Sequence, residues 1–186
     1  MKFSEALPWI KTGDVLTCQG TWLISRGIQL ITREKISHVG IAVWVHLNGR
    51  KKHLCMFEAM EGRDVGIVPL EETLKRSYWP RGGKMWWQHT EGIDGYNVMD
   101  FCIQNWGAEY ANKYQFVVGM SRLIRFIRTH MGKSLDTDPK KWHCSELVTR
   151  AFMAQGYKHD KEPAITTPGD VSRFSCLGKP ILLESD

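Results

Sequence analysis

His38-Val39-Gly40-Ile41-Ala42-Val43-Trp44-Val45-His46-Leu47, then Asn48-Gly49, then His53-Leu54-Cys55-Met56-Phe57-Glu58-Ala59-Met60, is the stretch on which the reading of the fold turns. Val39, Ile41, Val43 and Val45 alternate with His38, Gly40, Ala42 and Trp44, the period of a strand rich in β-branched residues. Asn48-Gly49 is the chemistry of a tight hairpin turn, so 53–60 reads as the returning strand. Centring the hairpin on that dipeptide sets position 38 opposite about 59 and Glu58 within one residue of His38. A loop longer by one residue would reverse the face.

Working outward, Gly13-Asp14-Val15-Leu16-Thr17-Cys18 predicts a short strand after a turn, and 21–33 a short amphipathic helix. Asp64 to Leu70 and Lys84 to His89 read as further strands, with a short helix over 71–77 between them. Helical patterns follow over 94–105 and 119–130, separated by an aromatic, turn-like stretch at 107–116. Residues 136–141 hold Pro139 and read as a loop. Leu147, Val148, Ala151 and Phe152 recur at helical spacing after Cys144, and Gly156 suits the helix end. Thr166 to Arg173 reads as a turn entering a short helix, and Pro180-Ile181-Leu182-Leu183 as an edge strand. Strands early and helices late predict an α+β fold. The 186 residues suit one domain spanning 1–186.

Formal charge is +5 with eight Trp, and no Lys/Arg run reaches five residues. That pattern favours solvated charges over a nucleic-acid patch, so no nucleic acid is expected. Dispersed His and Cys lack zinc-ligand spacing, and no glycine-rich phosphate loop occurs; neither a metal nor a cofactor is expected. Met1 to Pro8 has no apolar run to serve as a signal-peptide core, and no stretch of about eighteen apolar residues exists to span a membrane. Five Cys without paired spacing fit a reducing, cytoplasmic setting.

Three residue types could carry chemistry. Cys144 opens a predicted helix, where the dipole and unpaired N–H groups favour thiolate and can bind an oxyanion. His38 opens a strand and could act as its base. Glu58, an acid between Phe57 and Ala59, needs a partner if buried, and His38 is the nearest. Glu61 is a competing acid. Trp86-Trp87, Tyr110 and Tyr114 could line a cleft or pack a core.

The ordered set Gly13-Asp14-Val15-Leu16, Ser37-His38-Val39-Gly40-Ile41, Phe57-Glu58-Ala59, His143-Cys144-Ser145-Glu146-Leu147-Val148 and Thr167-Pro168-Gly169-Asp170-Val171 resembles the circularly permuted NlpC-type papain-fold cysteine hydrolases, in particular their YiiX-like and YycO-like branch. The resemblance covers about residues 12–175. It implies a permuted papain-like fold, a curled antiparallel sheet or barrel packed on helices. It implies Cys144 as nucleophile, His38 as base and Glu58 as the third, polar member. Members cleave amide bonds of cell-wall peptides; a related branch moves acyl chains between lipids. The expected partner is therefore a peptide or acyl substrate, with peripheral lipid contact compatible. The alternatives are an acyltransferase or thioesterase on the same triad, and a non-enzymatic binding module. Residues from about 84 to 135 match no motif of the family.

Overall fold

The computed structural model describes residues 1–47, 51–60, 63–110 and 141–186. Six strands form one antiparallel sheet: β1 (Val15–Gln19), β2 (His38–Leu47), β3 (Lys51–Met60), β4 (Asp64–Pro69), β5 (Lys84–Gln88) and β8 (Ile181–Leu183), in the order β4-β3-β2-β1-β5-β8. Two short parallel strands, β6 (Glu109–Tyr110) and β7 (Lys141–Trp142), form a second sheet, tied to β4 by backbone bonds between Val65 and Gly107 and Ala108. The described helices are α1 (Phe3–Ala6), α2 (Leu23–Thr32), α3 (Leu70–Thr73), α4 (Gly95–Gln104), α5 (Cys144–Met153) and α6 (Pro168–Val171). The architecture is α+β, as the pattern predicts. The predicted helix over 119–130 and the stretch 111–116, Tyr114 included, lie outside the described residues, as does Glu61. The helix expected over 71–77 is α3, continued by a π-helical turn at Leu74–Tyr78 and a 3₁₀ turn at Trp79–Arg81.

Both faces of the sheet are covered. Val15, Val39, Ile41, Val43 and Phe57 pack against Val98 and Cys102 of α4 and Leu147, Val148, Ala151 and Phe152 of α5. On the other side Leu16, Cys18, Ala42, Met56 and Met85 meet Phe3, Ala6, Leu70, Leu74 and Tyr78. Strand alternation sends successive side chains to these two clusters. That explains why Leu16 and Val15 are both fully buried. Among the described strands the tail strand β8 pairs with β5 alone, at the sheet edge.

The β2–β3 register differs by one residue from a hairpin centred on Asn48-Gly49. Ile41 pairs with Phe57 and Leu47 with Lys51, which leaves three residues between the strands. The next position places Glu58 beside Gly40, on the face that His38 shares with Cys18. A centred hairpin would have sent Glu58 to the opposite face. Gly66 is the partner of Glu58 on β4. Glycine is required at position 40, because an added Cβ would come within 2.8 Å of the Phe57 carbonyl oxygen.

Gly13-Asp14 anchors the entry to β1. Asp14 is buried, and its carboxylate accepts from the Lys11 N–H (2.8 Å), Trp87 Nε1 (2.7 Å), the Thr90 N–H (3.0 Å) and His89 Nδ1 (2.9 Å). Four donors offset the cost of burying the charge. Trp87 is therefore a core residue that ties β5 to the start of β1.

Candidate active site

α5 begins at a side-chain cap. His143, with extended backbone, accepts the Glu146 N–H on Nδ1 (3.2 Å) and donates from Nε2 to the Ala164 carbonyl (2.9 Å). Acceptance at Nδ1 needs the neutral ring, and burial lowers the His143 pKa to match. Ser145 Oγ donates to the Thr166 carbonyl at 2.6 Å. α5 is thereby pinned to the 163–168 segment, and Cys144 is held at the first helical position, 1% exposed. A helix start leaves backbone N–H groups without intrahelical partners and carries partial positive charge. Both His143 ring nitrogens are thus engaged in holding the start of α5.

The three residues singled out by sequence come together. His38 Nε2 lies 2.5 Å from Glu58 Oε2, and the Cys144 sulfur is within electrostatic reach of the same ring. With Nε2 engaged by Glu58, Nδ1 is the nitrogen left for sulfur. Burial alone would lower the His38 pKa, but the negative charges of Cys144 and Glu58 outweigh it and push the ring up to about 10. Glu58 is 2% exposed, and its other oxygen, Oε1, has no hydrogen-bond partner among the described residues. This arrangement can hold an imidazolium between a carboxylate and a sulfur, in a site largely closed to water.

Burial pushes Cys18 and Cys55 above the ordinary thiol range, Cys102 up to about 12 and Cys176 up to about 11. The Tyr78 hydroxyl lies within electrostatic reach of Cys18, Glu58 and Cys144. Sequence reading did not single out Tyr78. It sits in the π-helical turn after α3, and nothing in a Ser-Tyr-Trp-Pro run signals its approach to strand β1.

Two spaces adjoin the triad. A small pocket of ≈ 30 Å³ is bounded by Cys144, Ser145, Ser37 and Ile28. A larger cleft of ≈ 560 Å³ is lined by His38, Glu58 and Ser37, and by apolar Trp22, Ile28, Met60, Tyr78 and Tyr110. Ser37 and Ile28 border both, so the cleft leads towards the sulfur.

No protein-family model matches the chain. No curated protein matches it either. Among solved structures, its fold is similar to that of metalloprotein YiiX from Escherichia coli O157:H7, with a TM-score of 0.62 at 18% sequence identity. The match covers 95% of this chain and 99% of that one. Among the described residues here, no group of three or more His, Cys, Asp or Glu is placed to hold a metal ion. None of the described helices is long and apolar enough to cross a membrane.

Proposed function

We propose that this chain is a cysteine hydrolase of permuted papain-like type. It cleaves an amide bond through a thioester on Cys144, with His38 as acid–base and Glu58 as the group that orients it. The observation that carries this reading is the His38 ring, hydrogen-bonded to Glu58 and within electrostatic reach of the sulfur at the start of α5. The chain order His38, Glu58, Cys144 suits the permuted connection.

In the reaction, Cys144 Sγ donates an electron pair to the carbonyl carbon. The oxygen takes up negative charge near the Cys144 backbone N–H, the kind of donor whose loss costs on the order of a hundredfold or more. His38 gives its proton to the leaving nitrogen as the C–N bond breaks. Neutral His38 then accepts a proton from water, which attacks the thioester and frees the acid. The bond between the acyl carbon and Cys144 Sγ breaks, and the sulfur and imidazolium return as a pair. Glu58 keeps Nε2 engaged throughout, so Nδ1 stays aimed at the sulfur.

The apolar lining of the cleft supports a second reading, an ester or thioester bearing an acyl chain as substrate. The attack on carbon is the same, and an alkoxide or thiolate leaves in place of the amine.

Iodoacetamide labelling with peptide mapping tests the nucleophile without a known substrate. Cys144 is expected to label first near neutral pH, and His38→Ala to slow it at least about tenfold. Equal labelling of Cys18 or Cys102 would sink the proposal. Hydrolysis of peptidyl amides set against acyl esters and thioesters, each with Cys144→Ala as the blank, decides between the two substrates.

A further inference from the structure

Helix α2 is built inside out. Its polar residues Ser25, Gln29 and Thr32 fall on one side by helical spacing. That side faces the protein: Gln29 Nε2 donates to the Gly20 carbonyl at 2.8 Å, and Thr32 is the helix's buried residue. Leu23, Ile24 and Leu30 lie towards the other side and are 88%, 57% and 80% exposed, with Trp22 at 59% just before the helix. A surface helix of a globular protein normally turns its apolar stripe inward. Singly exposed leucines are ordinary, but a contiguous apolar face on one helix marks a contact surface.

Its surroundings are basic. Arg26 flanks the apolar side, Arg33 and Lys35 follow the helix end, and all three are exposed. Arg81 stacks over the Trp22 ring, 4.3 Å from its centroid. Between Glu5 and Glu34 the sole acid is Asp14, which is buried; Glu34 itself is paired with Arg173. An occupant of this face must offer negative charge beside apolar surface. An anionic bilayer answers both at once, with headgroups for the cations and acyl chains for Leu23, Ile24 and Leu30. Ten residues rise only about 15 Å, half of a bilayer's hydrocarbon core, so the helix lies along the surface. Trp22 with Arg81 suits the headgroup level, where amphipathic rings settle.

We propose that α2 is an interfacial anchor that docks this protein on anionic lipid surfaces. Trp22, Leu23, Ile24 and Ile28 also line the cleft that His38 and Glu58 face, so the docked helix sets the mouth of the cleft against the bilayer. The docking goes beyond the cysteine chemistry and does not depend on it.

Flotation of the full chain with phosphatidylcholine vesicles holding about one-third phosphatidylserine tests the anchor. The protein is expected to float with these and at least about tenfold less with pure phosphatidylcholine, and added salt should release it. Leu23→Glu and Leu30→Glu should each weaken flotation by on the order of tenfold or more. Both side chains stand in solvent, so thermal melts of the variants should match the parent. Cys144→Ala should float like the parent, which separates docking from chemistry. Flotation unaffected by Leu30→Glu, or absent with anionic vesicles, overturns the proposal. So does a dimer in vesicle-free light scattering that Leu30→Glu converts to monomer, since a second copy would then own this face.

Discussion

Cys144→Ala should lower the titration midpoint of His38 from about 10 by at least about two pH units. The reasoning starts from the ordinary imidazole value of 6.5. Holding the ring at about 10 corresponds to ~5 kcal/mol in favour of its charged form. Burial opposes that charge, so Cys144 and Glu58 together must contribute more than the net figure. Cys144 contributes the larger share. Its removal leaves Glu58 alone against burial, a loss of ~3 kcal/mol or more. Ring-nitrogen NMR of ¹⁵N-histidine protein, titrated from neutral to alkaline pH, reads the midpoint directly. Glu58→Gln should lower it too, by a smaller amount, while keeping the side-chain shape. A midpoint that stays near 10 in Cys144→Ala would refute the argument. The sulfur would then not be the charge that holds the ring protonated, and the proposed nucleophile would lose its physical basis.

Three further outcomes follow from the same geometry. Gly40→Ala should cost about 1–3 kcal/mol in urea unfolding, since the new Cβ would crowd Met56 and the Phe57 carbonyl, and should slow Cys144 labelling by displacing the Glu58 strand. His143→Ala should cost about 1–2 kcal/mol through loss of the α5 cap. His143→Asn keeps an acceptor there and should lose less. Because the folded ring resists protonation, the unfolded chain binds more protons as pH falls below the ordinary imidazole value, so parent stability should decline there and the decline should shrink in His143→Asn. Asp170 is buried, which alone would raise its pKa, but Lys161 at 2.6 Å and the Thr167 donors hold it well below the usual carboxylate range. Its contribution is full above that range and lost as pH falls. Asp170→Asn should therefore cost about 2 kcal/mol at neutral pH, after screening of the half-exposed Lys161 and Arg173, and almost nothing in acid.

Much of the sheet was legible because strand signals are local. Alternating Val and Ile over 39–45, a turn dipeptide after them and a closing apolar run at 180–183 are each read within a few residues. The start of α5 was legible for the same reason. The role of Asp14 was not, because its donors come from Lys11, Trp87, His89 and Thr90, and those on β5 and after it are some 75 residues away. Trp87 likewise offered no sign of being core rather than platform until its indole N–H found that carboxylate. Helical spacing predicted the amphipathic character of α2, but a pattern carries no direction, and here the apolar side faces out.

By itself the sequence determined which residues could do chemistry: a thiol opening a helix, an imidazole opening a strand and an acid in an apolar strand. Those are properties of residue type and local period. Tertiary structure alone decided that they meet. A single residue in the loop between β2 and β3 sets whether Glu58 faces His38 or the opposite core, because side chains in a strand alternate every residue. Contact with Cys144 depends on α5 packing across β2 and β3, more than eighty residues further along the chain.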